Sequence, residues 1–298
     1  PVGIVSARAA ADFQTMSNAY LYGTRFMSYL GLTYGPEKVA DWLARDKESD
    51  RYYATQFERV FGKPMGDAWN DWIAWEHEFQ AANLASVRKF PPTTGQRITT
   101  VPLGSVSRSF IDPKNNELLG AFMYPGKVAH IGAVSLADGS LRAYVDVKGP
   151  LKYSVSSTAF DPSTRTLFFT ADNAAFRDLM ALDLETGKAK MLLKDARIGD
   201  LAFDPVDKSL YGARHENGYV SLVRIAPPYK DWQVLNTLPY GQVMTDLDIS
   251  PDGSKLSASF EEISSKQYLR VYSLEAVRAG KLDALSQYDF GQAVPEGF

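Results

Sequence analysis

Residues 248–255 read DISPDGSK, a strand-like run that ends in Ser-Pro-Asp-Gly and is followed by a new apolar stretch from Leu256. The proline fixes φ and the Asp-Gly pair favours a tight turn, so the segment predicts two strands joined by a short connection. On its own the segment is compatible with a single hairpin. Whether it marks a repeat depends on the rest of the chain.

The same arrangement occurs three more times, as an Asp-Pro pair between two strand-like runs. The four prolines, at positions 113, 162, 205 and 251, are 49, 43 and 46 residues apart. Each unit also contains a third strand-like stretch, namely IGAVSL, LMALDL, VSLVRI or YLRVYSL. About four strands per ~45 residues is the period of a β-propeller blade. An unrelated series of hairpins is the alternative, and the register shared by four units argues against it.

The predicted propeller is partial, with four recognisable four-stranded blades over residues 101–298. Four blades are at the lower limit for closing a ring. The last stretch, YDFGQAVPEGF, reads as the start of another blade. We therefore expect the propeller to be completed by missing sequence or by another chain, because open strand edges invite pairing.

Residues 1–90 predict an α-helical domain, because apolar residues recur at helical spacing. Gly35 ends a first helix with Tyr20 in its apolar pattern, and Pro36 suits the first position of the second helix. Ser49-Asp50 predicts the cap of a third helix. A fourth helix carries the stripe Trp69, Trp72, Ile73, Glu76 and Phe79, which favours packing over a ligand platform. The Pro- and Gly-containing stretch 91–100 predicts a linker, which makes the fold class α+β and multidomain.

Composition excludes several classes of function. The 298 residues carry a formal net charge of −3 and no cysteine. This balance provides no basic footprint for nucleic acid, and the absence of cysteine rules out disulfides and thiolate zinc sites. No apolar run is long enough for a transmembrane helix. Neither a G-x-x-x-x-G-K-[ST] loop nor a G-x-S-x-G motif is present, so phosphate cradling and α/β-hydrolase chemistry have no support.

Two parts of the sequence resemble known families. The second half, mainly through its Ser-Pro-Asp-Gly turn, resembles the TolB-like, WD40-like propeller repeats of bacterial envelope proteins. The helical half contains Tyr20-Leu21-Tyr22-Gly23, of the form Y-x-x-G, followed by FMSYL, GPEKVADWL, FERVFG and DAWNDWI. This order resembles the helical subdomain that follows the zinc site of gluzincin, or peptidase MA-like, metallopeptidases. Together the halves resemble large secreted bacterial proteins in which a gluzincin-like domain precedes a TolB-like propeller.

The gluzincin resemblance implies a zinc site that this sequence does not contain. The family takes its ligands from an H-E-x-x-H helix and a downstream Glu, whereas the three histidines here are His77, His130 and His215, too far apart for that motif. Zinc is therefore expected only in an intact parent protein, with no cofactor within this chain. The resemblance assigns Tyr20 as the oxyanion donor of such a site. The chain alone is predicted to be inactive, and its implied location is periplasmic, secreted or outer-membrane-associated.

Four residues of the propeller are candidate binding residues. Arg214 and His215 are predicted to follow the second strand of blade 3, and Asn173 and Arg177 fall at the matching place in blade 2. His215 is of interest because an imidazole titrates near neutral pH. Two structural interpretations remain open, a hairpin turn at Asn217-Gly218 and blade-to-blade charged struts.

These observations lead to one hypothesis and one alternative. The hypothesis is the non-catalytic portion of an envelope-associated zinc metallopeptidase, whose propeller binds or gates peptide or protein substrates. The alternative is a propeller that binds a protein partner, or a structural assembly subunit, without peptidase activity. The propeller role rests on analogy between folds.

Overall fold

The computed structural model describes residues 13–44, 46–49, 53–90, 93–101, 103–124, 126–147, 157–173 and 175–290. The chain divides into two compact units, Pro1–Gly95 and Gln96–Phe298. Within these described ranges the first unit contains four helices, and the second contains four antiparallel sheets arranged as propeller blades. The predicted α+β fold class is confirmed. The predicted domain limits of 1–90 and 101–298 stay a prediction.

The helical unit follows the predicted order. Its helices are α1 (Phe13–Tyr34), α2 (Pro36–Leu43), α3 (Tyr53–Phe61) and α4 (Met65–Val87). Gly35 separates the first two with φ of 93°, a backbone conformation that a side chain disfavours, and Pro36 begins α2 as predicted. The predicted cap residue Asp50 lies outside the described residues.

An aromatic core holds the helical unit together. Trp69 and Trp72 of α4 are buried against Phe26 of α1, with ring centroids 5.1 and 6.0 Å apart. Arg25 forms a bidentate ion pair with Glu76, at 2.9 Å, and lies over the Phe79 ring. The stripe on α4 therefore packs against the rest of the unit, as predicted. Its tryptophans make aromatic contacts with α1, and Glu76 and Phe79 contact Arg25. Tyr20 is an exception, since it is 73% exposed and does not join the apolar core.

The propeller unit contains seventeen strands among the described residues. Blade 1 consists of β1 (Ser105–Val106), β2 (Phe110–Asp112), β3 (Glu117–Met123), β4 (His130–Ser135) and β5 (Leu141–Asp146). Blade 2 consists of β6 (Thr158–Asp161), β7 (Thr166–Asp172), β8 (Arg177–Asp183) and β9 (Lys188–Leu193). Blade 3 consists of β10 (Ile198–Phe203), β11 (Leu210–Glu216), β12 (Tyr219–Ile225) and β13 (Gln233–Thr237). Blade 4 consists of β14 (Val243–Ile249), β15 (Lys255–Glu261), β16 (Gln267–Ser273) and β17 (Ala284–Asp289), with the short helix α5 (Leu274–Arg278) before β17.

Each blade is an antiparallel meander whose first two strands are joined at the repeated proline. The innermost strand of blade 1 is interrupted, so β1 and β2 both pair with β3. The predicted hairpin at 248–255 is confirmed, because Ile249 pairs with Leu256 across the turn. The prediction for the end of the chain is wrong where it can be checked. Tyr288 and Asp289 belong to β17 and pair with β16, so the fourth strand of blade 4 includes them.

Neighbouring blades pack through apolar side chains. One cluster joins blades 1 and 2, including Leu119 and Leu167, a second joins blades 2 and 3, and a third joins blades 3 and 4. Between blades 4 and 1 the described contact is polar. The guanidinium of Arg108 donates to the Leu247 carbonyl at 2.8 Å and pairs with Asp248 at 2.6 Å. The three interfaces between consecutive blades are thus apolar, whereas the described contact between blades 4 and 1 is made by Arg108.

Candidate functional site

The four predicted binding residues lie together at one end of blades 2 and 3. Asn173 lies in the connection between β7 and β8, and Arg177 is the first residue of β8, where it pairs with Asp172 at the end of β7. Arg214 and His215 lie in β11 itself, so the prediction that they follow this strand is wrong. The turn begins at Asn217, where two consecutive residues with positive φ form the predicted tight turn.

Backbone hydrogen bonds bring these two blade ends together. The segment that connects β9 to β10, which includes Asp195 and Arg197, lies between the end of blade 2 and the end of blade 3. Arg197 donates its N–H to the Arg177 carbonyl at 3.0 Å, and the His215 N–H donates to the Arg197 carbonyl at 3.0 Å. The positions of Arg177 and His215 are therefore set by the backbone of blades 2 and 3 rather than by flexible loops.

Asn173 is committed to internal hydrogen bonds. Its Nδ2 donates to Asp178 Oδ1 at 2.8 Å and to Asp195 Oδ1 at 2.7 Å, and its Oδ1 accepts the N–H groups of residues 175 and 176. All its polar atoms thus shape the connection between blades 2 and 3. The structure gives Asn173 a positioning role beside the site.

Arg214 is similarly engaged within the fold. Its Nε donates to the Ala196 carbonyl at 3.2 Å, its Nη1 pairs with Glu216 at 2.5 Å, and its guanidinium lies 4.9 Å from the centroid of Trp232. Glu216 also lies 3.8 Å from Arg197, whose guanidinium covers the Phe176 ring at 3.5 Å. These contacts fit the structural alternative of charged struts, because each cation already has an anionic or aromatic partner.

Arg177 and His215 retain donors that can reach a ligand. Within the described residues, the Arg177 guanidinium contacts a carboxylate through Nε, at 3.2 Å from Asp172. The His215 ring is exposed and makes no described side-chain hydrogen bond. Desolvation by the surrounding protein lowers the pKa of His215 below its usual 6.5, Asp200 opposes this shift and Arg177 adds to it. At pH 7 the site thus presents a neutral imidazole near a guanidinium.

Two carboxylates near this site were missed from the sequence. Asp200 and Asp246 occupy equivalent positions on the innermost strands of blades 3 and 4, both with φ of 50° at a bulge. Asp200 Oδ1 accepts the Asp246 N–H at 3.0 Å. Ser157 occupies the same position in blade 2, and its hydroxyl accepts the Leu201 N–H. The signal available in the sequence was the repeat itself, since Ser157, Asp200 and Asp246 follow its spacing of 43 and 46 residues.

Tyr20 lies in the other compact unit, near the beginning of α1. Its side chain is exposed, as is that of Leu21 at 59%. Gly23 in the same helix has no atom within 4 Å of the place where a side chain would begin. Among the described residues no cluster of three or more His, Cys, Asp or Glu could hold a metal ion. The chemistry assigned to Tyr20 by resemblance stays a prediction.

Comparison with known proteins supports the fold. No protein-family model matches the sequence, and no curated protein matches it. Among solved structures, a protein assigned as TolB from Agrobacterium tumefaciens is 11% identical, with a TM-score of 0.55 over 67% of this chain and 72% of that one. TolB from Acinetobacter baumannii is 16% identical with a TM-score of 0.49, covering 58% of this chain and 42% of that chain. The chain thus spans less than half the length of the Acinetobacter protein.

The likeness to the Agrobacterium protein, together with the four blades, establishes a TolB-like β-propeller fold. Identities of 11% and 16% are too low to transfer a function, because one fold supports many unrelated sites. None of the helices in the described part of the chain combines the length and hydropathy that a membrane span requires.

Proposed function

We propose that the propeller is a peptide- or protein-binding module and that its partner contacts Arg177 and His215. The observation that carries this proposal is that these two residues, from different blades, are joined through the backbone of Arg197 and lie close enough for the charge of Arg177 to lower the pKa of His215. A guanidinium and a neutral imidazole can donate to a carboxylate or a peptide carbonyl. Binding residues on rigid strand ends reduce the entropy lost on association.

Immobilised short peptides of random sequence test this proposal, with the full chain as the probe. We expect the wild-type chain to be retained on a subset of peptides and retention to fall in Arg177→Gln and His215→Gln. Lys266→Gln is the matched control, because Lys266 is exposed on a strand connection of blade 4. Absence of any retained peptide, or equal retention of all three variants, would overturn the proposal.

The finer hypothesis is that this module belongs to an envelope-associated zinc metallopeptidase and presents or gates its substrates. The exposure of Tyr20 and Leu21 favours it, because the Y-x-x-G segment leaves a tyrosine hydroxyl available to another part of such an enzyme. The proposed location in the bacterial envelope rests on the resemblance to secreted proteins of this kind. In this proposal Tyr20 would donate a hydrogen bond to the oxyanion, and a zinc ion held by residues outside this chain would supply the Lewis-acid chemistry at the scissile carbonyl.

Intact mass and bound zinc, measured on material from the source, separate the finer hypothesis from a plain binding module. A mass well above 33.0 kDa with about one zinc per molecule supports the metallopeptidase. The next variant is then Tyr20→Phe, which removes the hydroxyl alone and should lower peptide hydrolysis while zinc content is unchanged. A mass near 33.0 kDa without zinc leaves the binding module, or a structural subunit whose propeller is completed by another chain.

A further inference from the structure

A groove of about 930 Å³ lies between blades 2 and 3, at the opposite end of β7 and β8 from Arg177. One wall is the face of blade 2, where Phe168, Ala181 and Lys190 are in register across three strands. The small side chain of Ala181 between two large ones makes this wall concave. Pro227 and Tyr229, from the connection between β12 and β13, form the other wall.

The base of the groove is aromatic and held in place. The rings of Phe168 and Tyr229 lie 5.0 Å apart, and the Tyr229 hydroxyl donates to the Lys208 carbonyl at 2.7 Å. Burial, together with the charges of Asp161 and Asp207, raises the pKa of Tyr229 to about 12, so this hydroxyl remains protonated. Leu192 extends the apolar surface. An apolar side chain of a ligand would find a preformed place there.

The charged groups of the groove differ in whether they have hydrogen-bond or ion-pair partners within the fold. Lys208 lies 3.5 Å from Asp161 and donates to Ser163 at 3.0 Å. Asp183 accepts the N–H groups of residues 185 and 186 in its own turn. By contrast, Lys188 and Lys190 are exposed, and their ammonium groups have no described hydrogen-bond or ion-pair partner. The outer rim therefore presents two cations without a described ion pair, one of which, Lys188, lies opposite Asp183 in the pairing of β8 with β9.

The spacing of these two lysines selects the shape of the ligand. Lys188 and Lys190 are alternate residues of β9, so both point to the same face at a separation of roughly 6.5–7 Å. An extended peptide has the same repeat, and its intervening side chain points the opposite way. Carboxylates at alternate positions can face the lysines while the residue between them contacts Tyr229 and Pro227.

We infer that this groove is a second binding site, which takes an extended peptide segment with two carboxylates flanking an apolar side chain. It shares no residue with the Arg177–His215 site. The inference goes beyond the proposed function, because it names a separate surface and a defined ligand class. Either site can fail experimentally without the other.

Calorimetric titration of the full chain tests the inference with the peptide acetyl-Gly-Asp-Phe-Asp-Gly-amide. We expect saturable binding that is about tenfold weaker when both Asp residues of the peptide are replaced by Asn or when Phe is replaced by Gly. The double variant K188E/K190E should lose a similar factor or more. Its matched control is K194E/K281E, which changes the net charge equally at two exposed lysines outside the groove.

Three outcomes of these titrations would overturn the inference, and a fourth concerns a variant of the other site. The three are no binding of the Asp-Phe-Asp peptide, equal weakening by the two charge variants, and lysine-dependent binding of an acidic oligosaccharide in place of the peptide. R177Q/H215Q should bind the Asp-Phe-Asp peptide as the wild type does. Loss of affinity in that variant would mean that the two surfaces are one site, which also contradicts the inference.

Discussion

The aspartate of each Asp-Pro pair links neighbouring blades. The side chains of Asp112, Asp161 and Asp204 are almost fully buried, and each accepts the N–H two residues further along its turn. Each also meets a cation from the next blade. The pairs are Arg165 with Asp112 at 2.5 Å, Lys208 with Asp161 at 3.5 Å, and Arg278 with Asp204. These aspartates, which the sequence predicts only as turn residues, therefore also join neighbouring blades.

We expect Asp112→Asn to lower the free energy of unfolding by about 3 kcal/mol, because it leaves the buried guanidinium of Arg165 without its buried counter-charge. Both side chains are less than a tenth exposed. The matched control is Lys114→Gln, which removes an exposed ion pair to Glu185 in the same network and should cost less than about 1 kcal/mol. Urea unfolding followed by far-ultraviolet circular dichroism measures both. Equal effects of the two substitutions would show that burial does not govern this link.

Acid should weaken the Asp161 link in a defined range of pH. Burial alone would raise the pKa of Asp161, but hydrogen bonds from Ser163 and Thr164 and the charge of Lys208 lower it below its ordinary 3.8. A lowered folded-state pKa stabilises the fold at pH values above 3.8, and this stabilisation is lost as the pH falls below 3.8. The difference in urea midpoint between wild type and Asp161→Asn should therefore shrink from pH 6 to pH 3, taken as approximate limits. A constant difference over that range would contradict the assignment.

At the scale of elements, two glycines of the helical unit, Gly23 and Gly35, have opposite effects on its stability. Gly35 separates α1 from α2 at φ of 93°, and the place of its missing side chain lies 2.9 Å from a Glu37 oxygen. Gly23 is inside α1, with ordinary helical backbone and open space around it. Helix interiors disfavour glycine by roughly 1 kcal/mol relative to alanine. Gly23 thus weakens α1 without a packing reason among the described residues.

These roles predict opposite effects of the same substitution. Gly23→Ala should raise the free energy of unfolding of the helical unit by up to about 1 kcal/mol, because it removes backbone freedom from the unfolded chain. Gly35→Ala should lower it by about 1 kcal/mol or more, since alanine is strained at that φ. Tryptophan fluorescence during urea unfolding measures both changes. A destabilising Gly23→Ala would reveal a contact that the described residues do not contain.

At the scale of the whole molecule, patterns repeated along the chain were predictable. The spacing of Pro113, Pro162, Pro205 and Pro251 determined the blades, because each proline marks the same connection. The convergence of Arg177 with His215 also followed from the repeat. The sequence could not show that Arg177 and His215 keep available donors while Asn173 and Arg214 are engaged within the fold. The two groups differ only in the partners that folding gives them. The groove beside Lys188 was not predictable, because Ala181 and Tyr229 come from distant segments.

The division into two compact units leads to a last prediction, since such units often unfold separately. Four of the five tryptophans, at positions 42, 69, 72 and 75, are in the helical unit, and Trp232 is in blade 3. Tryptophan fluorescence should therefore follow mainly the helices, while the circular dichroism of the strands follows the propeller. Asp112→Asn should lower the midpoint of the strand transition, and the free energy of unfolding measured by fluorescence should stay within about 0.5 kcal/mol of wild type. If both signals shift together, the two units unfold as one cooperative structure, and the link at Asp112 stabilises the entire chain.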